Sequence, residues 1–272
     1  MGQLVYACMT PHGDEIIPEL AGQFEERMAR TRTAMIELGS RVNRSQPDVL
    51  LVITPHGTRI DGQFSISGSE AMEGVSAING LTYKMKKEVD RSLAQQIKEA
   101  AETEKLPVGL LNYGTSEGPL SILQLDWGAI VPLRFMPNVP VVVLTPSRLI
   151  GYEEHLAMGK AIRRAIDSSG KRVALIASCD WSHTHDATGP YGFHEEAKRV
   201  DQKIVEWVKQ GDLEALTTIS VKEIEEAKPD GIWQSLILAG TLPKEGRKAE
   251  VLCYEAPTYF GLLTAEFYNL ES

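Results

Sequence analysis

Short apolar runs alternate with longer amphipathic stretches along most of the chain. Six runs dense in β-branched and other apolar residues predict strands: Leu4–Met9, Val49–Thr54, Val108–Leu111, Val141–Leu144, Val173–Ala177 and Val251–Tyr254. Between them the spacing changes to three and four residues. Ile17–Val42 fills the first crossover, and Tyr83–Ala101 carries Leu93, Ile97 and Ala100 on one stripe. Leu156–Ile166 follows the same pattern, as do Ala197, Val200, Ile204 and Val208. These predict helices with one buried face. Gly231–Ala239 reads as a short apolar helix. Strands and helices in alternation predict an α/β fold, with a central mixed sheet flanked by helices and functional groups at the strand ends. Gly/Pro punctuation is scattered and no repeat or linker interrupts the pattern, so residues 1–272 are read as a single domain.

Composition narrows the function classes. The 272 residues hold 28 Lys+Arg and 37 Asp+Glu, a formal net charge of −9, with 43% hydrophobic residues. That is a globular composition with ample core. No basic block of five or more residues occurs; Lys84-Met85-Lys86-Lys87 is interrupted and followed by Glu88. Neither nucleic acid nor an anionic membrane surface is an expected partner. No apolar segment is long enough to predict a transmembrane helix, and the N-terminus has no secretory pattern, so a cytoplasmic location is expected. Cys8, Cys179 and Cys253 are odd in number and lie in or beside apolar runs, which predicts buried free thiols.

The histidines carry the chemistry. His12, His56, His183, His185 and His194 fall at strand ends or in the loops beyond them, whereas His155 lies in a helical stretch among charged neighbours and reads as solvated. Thr10-Pro11-His12-Gly13 and Thr54-Pro55-His56-Gly57 end two separate strands with the same tetrapeptide. Proline fixes the backbone before each imidazole and glycine allows a sharp turn after it. A single strand-end histidine more often caps its strand. The duplication favours two imidazoles converging from adjacent strand ends on one metal ion.

A third site follows Val173–Ala177: Ser178-Cys179-Asp180-Trp181-Ser182-His183-Thr184-His185. His183 and His185 have zinc-ligand spacing, and either equally suits proton transfer. Gly189-Pro190-Tyr191-Gly192-Phe193-His194 is a loop whose aromatics suit the wall of a flat pocket, and a plain surface loop is as good a reading for His194 alone. A redox-active iron would need a carboxylate beside two histidines. Asp230 ranks first, ahead of Glu226 and Glu255; Glu225 shares the charged helix face of Glu226, and helix N-capping is the plainer role for Asp230.

Together these residues resemble the class III extradiol ring-cleavage dioxygenases, the family of the protocatechuate 4,5-dioxygenase catalytic subunit, with DOPA-type dioxygenases and Memo-like proteins among its relatives. The resemblance runs from the Pro-His-Gly at His12 through that at His56, Leu125-Asp126-Trp127-Gly128, Ser182-His183 and Gly189–Phe193 to Tyr254-Glu255-Ala256-Pro257. It implies that His12 and His56 bind a divalent metal, usually non-haem Fe(II), and that His183 is the acid/base. The family's third ligand is typically a Glu just before the last apolar helix, where this chain offers Asp230. Many members also have histidine at Trp127, so an indole here would stack on a ring without accepting a proton, and His185 or His194 would take over that contact. The implied reaction opens a catechol-like or aminophenol-like ring with O2, with Tyr191 and Phe193 beside the ring. A homo-oligomer, or a small partner subunit, is also implied. Two other readings remain at this point: a zinc hydrolase using His183 and His185, and a Memo-like binding protein that keeps the pocket without catalysis.

Overall fold

All six apolar runs become strands of one sheet in the computed structural model, which describes residues 1–269. The elements begin with β1 (Gln3–Thr10), α1 (Pro18–Ala21), α2 (Ala29–Arg44), β2 (Val49–Ile53), β3 (Phe64–Ser67), β4 (Ala71–Ile78) and β5 (Leu81–Glu88). Next come α3 (Arg91–Thr103), β6 (Val108–Leu111), β7 (Ile122–Gln124), α4 (Trp127–Leu133), β8 (Val141–Thr145), α5 (Tyr152–Ser169) and β9 (Arg172–Ser178). The chain closes with α6 (Glu196–Gln210), α7 (Val221–Ala227), α8 (Ile232–Thr241), β10 (Arg247–Glu255) and β11 (Leu262–Asn269). The large sheet has the order β10-β11-β1-β9-β2-β8-β3-β6. Its centre, β1-β9-β2-β8, is parallel, while β11 and β3 run antiparallel to their inner neighbours. This is the mixed α/β architecture that the pattern predicts.

The central runs are apolar at every position because both faces are covered. Leu51 and Ile53 point into a core with Leu93, Ile97, Met158, Ile162 and Ile204 from α3, α5 and α6. Leu50 and Val52 point the other way, into Met35, Leu38, Ile130 and Val131 from α2 and α4. Each fully buried side chain of this size contributes about 1.5–3 kcal/mol relative to exposure, so the two-layer core outweighs any local preference in the loops.

Several expectations are corrected. Tyr83–Glu88 is strand and not helix: it pairs with β4 through an Asn79-Gly80 turn in which both residues have positive φ, a strong hairpin signal. Asp90 then starts α3 by accepting a hydrogen bond from the Leu93 N–H. Ile17–Val42 is likewise not one helix. After α1 the chain turns through Gly22 at φ 52°, runs as 3-10 helix to Met28 and becomes regular only at Ala29. His155 is fully buried and not solvated; its ring bonds the Gly151 carbonyl at 2.7 Å and packs edge-on to Phe64. Strands β3 and β11, absent from the sequence reading, complete the large sheet, and β5-β4-β7 forms a second, small one. The three cysteines are free and buried. No helix among the described residues is long and apolar enough to cross a membrane.

Helices α5 and α8 meet at glycine. A Cβ on Gly159 would lie 2.1 Å from the Ile237 carbonyl oxygen, and one on Gly240 2.0 Å from that of Leu156. Both obstacles are backbone, which cannot rotate aside. Gly159→Ala is expected to cost about 1–3 kcal/mol, read as a lower urea midpoint at unchanged slope. An unshifted midpoint would show that the two helices are not held at this separation.

Candidate metal centre

The two Thr-Pro-His-Gly segments leave strands that are not adjacent: β9 lies between β1 and β2. Their imidazoles therefore converge across the end of β9, and the chain that continues from β9 supplies much of the surrounding shell. The His12 and His56 Nε2 atoms are 3.0 Å apart, and each lies 3.5 Å from Asp230 Oδ2. Among the described residues, these form the group of three or more His, Cys, Asp or Glu side chains able to hold a metal ion. Three ligands at right angles on bonds of about 2.1 Å would stand about 3 Å apart, so the donor atoms have the separation a three-ligand face requires. His12 and Asp230 are buried, whereas the His56 side chain is 27% exposed on the cavity side.

The surrounding shell sets the imidazole geometry. Ser178 Oγ donates to the Gly128 carbonyl at 2.5 Å, which leaves its lone pairs to accept from His12 Nδ1 at 3.0 Å. In the neutral ring His12 Nδ1 thus carries the proton, which leaves Nε2 as the atom that could face a metal. The His12 N–H is held by Asp180 Oδ1, whose own backbone N–H donates to Asp230 Oδ1. The second tetrapeptide is anchored differently. Thr54 Oγ1 donates to Asp126 Oδ1 at 2.6 Å and accepts from the His56 N–H at 3.3 Å. The glycines serve close approach more than turning: a Cβ on Gly57 would meet Thr145 Oγ1 at 2.2 Å, and one on Gly13 the Phe260 ring at 3.0 Å.

Four carboxylates act on this cluster. Burial pushes Asp180 and Asp126 up, and the Asp230 charge raises Asp180 further. Asp230 is also buried, yet His12, His56 and His183 hold its carboxyl well below the usual range. For His12, burial disfavours the cation, but Asp180 and Asp230 prevail and raise it to about 9. Asp14 is bound by Ser76 on β4 and is raised by burial. The attraction between His12 and Asp230 thus favours imidazolium beside carboxylate, and a bound cation would take the proton's place.

A cavity of about 520 Å³ opens over the cluster, walled by Trp127, Tyr191, Tyr259 and Phe260, with His183 and Asp180 in its lining. Trp127 stacks on His56 at 4.2 Å with 22° between planes. The His183 ring lies parallel to Phe260 at 5.7 Å and edge-on to Tyr191 at 6.0 Å. Its Nδ1 lies 2.9 Å from the Lys228 carbonyl.

Other sequence candidates are placed elsewhere. Glu226 lies on α7 with its carboxylate 3.8 Å from His194, and Glu255 accepts from the Thr31 N–H and hydroxyl; neither is brought to the cluster. His185 turns into Asp201, 2.8 Å away, which also binds the Tyr254 hydroxyl. His185, Phe193 and His194 do not line the cavity. Asp230 is no N-cap: Gly231 occupies that position without a side-chain cap. Sequence reasoning missed Asp180, Asp126, Tyr259 and Phe260. Asp180 was visible within the Ser178–His185 run and Asp126 within Leu125–Gly128, but nothing in the pattern marked Tyr259 and Phe260.

The family model described as the catalytic LigB subunit of aromatic ring-opening dioxygenase matches residues 6–261. The chain belongs to this family. A Clostridium acetobutylicum protein is 23% identical over 268 residues, covering 96% of this chain, which spans only 57% of that protein's length. The 2-aminophenol 1,6-dioxygenase beta subunit of a Pseudomonas species is 26% identical over 254 residues, 83% of this chain and 81% of that subunit. In fold, this LigB-family chain is similar to the crystal structure of an uncharacterized Escherichia coli protein, with a TM-score of 0.63, 16% identity and coverage of 96% and 98%.

The charge pattern sets a pH dependence. His12 rises from 6.5 to about 9 on folding, so its contribution is complete below pH 6.5 and is lost as pH rises through about 9. The melting midpoint of metal-free protein is expected to fall across that window. Metal displaces the proton, so binding should tighten toward pH 9 and release protons, read by calorimetry in buffers of different ionisation enthalpy. A midpoint flat from pH 6 to 9 without metal would contradict this account of His12.

Proposed function

We propose that this chain is a non-haem Fe(II)-dependent dioxygenase that opens a catechol-like or aminophenol-like ring by extradiol cleavage, incorporating both atoms of O2. The observation that carries this reading is the His12, His56 and Asp230 donor set, whose two imidazoles line an aromatic-walled cavity. Membership of the LigB family and the likeness to the Pseudomonas aminophenol dioxygenase subunit support it.

His12, His56 and Asp230 would hold the Fe(II), which when bound would supply the means of bringing O2 into reaction with a closed-shell aromatic ring carrying adjacent hydroxyl or amino groups. The chain's own residues do the rest. Trp127 and Tyr191 hold the flat ring by stacking and edge contacts, and Phe260 fixes the plane of the acid/base imidazole. His183 would accept a proton at Nε2 from the incoming hydroxyl and return it as the ring opens. Trp127 has an indole N–H and no basic nitrogen, so it orients the ring without taking a proton. A zinc hydrolase with His183 and His185 as joint ligands gains no support, because His185 is paired with Asp201. The beta-subunit relative supports an assembly with a second subunit or a further copy of this chain.

The test is metal analysis of anaerobically purified protein, followed by oxygen uptake with catechols and aminophenols. About one iron per chain, with stoichiometric uptake and a yellow ring-opened product, is expected. Zinc or no metal, with no uptake after iron loading, would turn the assignment to a pocketed binding protein. His12→Ala should lose both iron and activity. His183→Gln should keep iron while kcat falls by roughly 10²–10⁴-fold; full activity in His183→Gln would remove the acid/base role.

A further inference from the structure

We infer that Lys228 is a positioning residue whose left-handed backbone aims its carbonyl at His183 and so fixes which ring nitrogen is bare. The inference rests on the reading of His183 as the acid/base. Helix α7 starts with a capping box between Ser220 and Glu223 and ends at Lys228, whose φ of 55° and ψ of 50° are unusual for a side chain with a Cβ. Pro229 follows and disfavours helical backbone at Lys228, so the helix cannot continue.

The carbonyls freed by this ending all face one short segment. Glu226 O accepts from the Thr184 hydroxyl at 2.9 Å, Ala227 O accepts from the His183 N–H at 2.8 Å, and Lys228 O lies 2.9 Å from His183 Nδ1. A carbonyl only accepts, so neutral His183 must carry its proton on Nδ1. Nε2, with no protein partner among the described residues, is then bare for the cavity. Asp230 lies two residues on, so one short segment sets both the imidazole tautomer and the carboxylate of the metal cluster. The Lys228 side chain is exposed and takes no part. The function belongs to its backbone conformation, which glycine adopts freely and a β-branched residue resists.

The test uses the full-length protein loaded with Zn(II), whose diamagnetism permits histidine ¹⁵N NMR. Wild-type protein is expected to show His183 protonated on Nδ1, and Lys228→Gly to match it. Lys228→Val should mix the two tautomers. With Fe(II) and a turned-over substrate, Lys228→Val should lower kcat by about tenfold or more with KM changed far less, while Lys228→Gly holds the wild-type rate. A proton on Nε2 in the wild-type protein would overturn the inference. So would a soluble Lys228→Val protein with an unchanged tautomer, since a merely structural role moves stability and not the ring proton. If no substrate is turned over, the ring-opening reading fails by itself, and the NMR result still decides the role of Lys228.

Discussion

Two imidazoles and a carboxylate, with donor atoms 3.0 to 3.5 Å apart and mostly removed from water, are the constraint around which the strand ends are arranged. The His12 imidazole is raised and the Asp230 carboxyl lowered by their mutual attraction, although burial opposes both charges. A buried charge set of this kind is tolerated only when every member has a partner. That explains why so many nearby groups are committed: the Ser178 hydroxyl to the His12 ring, Asp180 to the His12 N–H, Thr54 to the His56 N–H, and the Asp180 N–H to Asp230.

The sheet order makes this commitment possible. Because β9 separates β1 from β2, the loop beyond β9 emerges between the two histidines. The last residue of β9, Ser178, lies beneath His12, and the loop supplies Asp180 beside it and His183 at the cavity wall. The small sheet contributes at one remove: its hairpin holds Asp14 through Ser76, and Asn79 binds Glu15 on the cavity rim. Chemistry at the carboxyl ends of parallel strands is the usual location in open α/β sheets. Here the intervening strand also fixes the tautomer of one of the proposed ligands.

Trp127 shows how a family pattern and a local environment combine. Asp126 caps α4 and binds Thr54, so the Asp-Trp-Gly segment is anchored from beneath while the indole lies over His56. The stack restricts the His56 ring and leaves the indole 44% exposed toward incoming molecules. His185 and His194, the other imidazoles weighed for that contact, are turned into Asp201 and toward Glu226. The face over the cluster is therefore aromatic, which leaves His183 as the proton carrier of the proposed reaction.

The α/β class, all six strands of the strongest runs and the pairing of His12 with His56 were legible in the amino-acid order alone. Each rests on short-range regularities: strand period, helix spacing and a tetrapeptide repeated at two strand ends. That order also marked Asp230, through its place before an apolar helix. It took the folded arrangement to place β9 between the two histidine strands and to set Glu226 and Glu255 apart. That arrangement also decided that His155 is buried and that Asp126, Asp180, Tyr259 and Phe260 enclose the site. These depend on which strands neighbour each other and which way a loop side chain turns. Burial of two apolar layers and satisfaction of buried charges settle both across the whole molecule, and neither leaves a periodic trace along the chain.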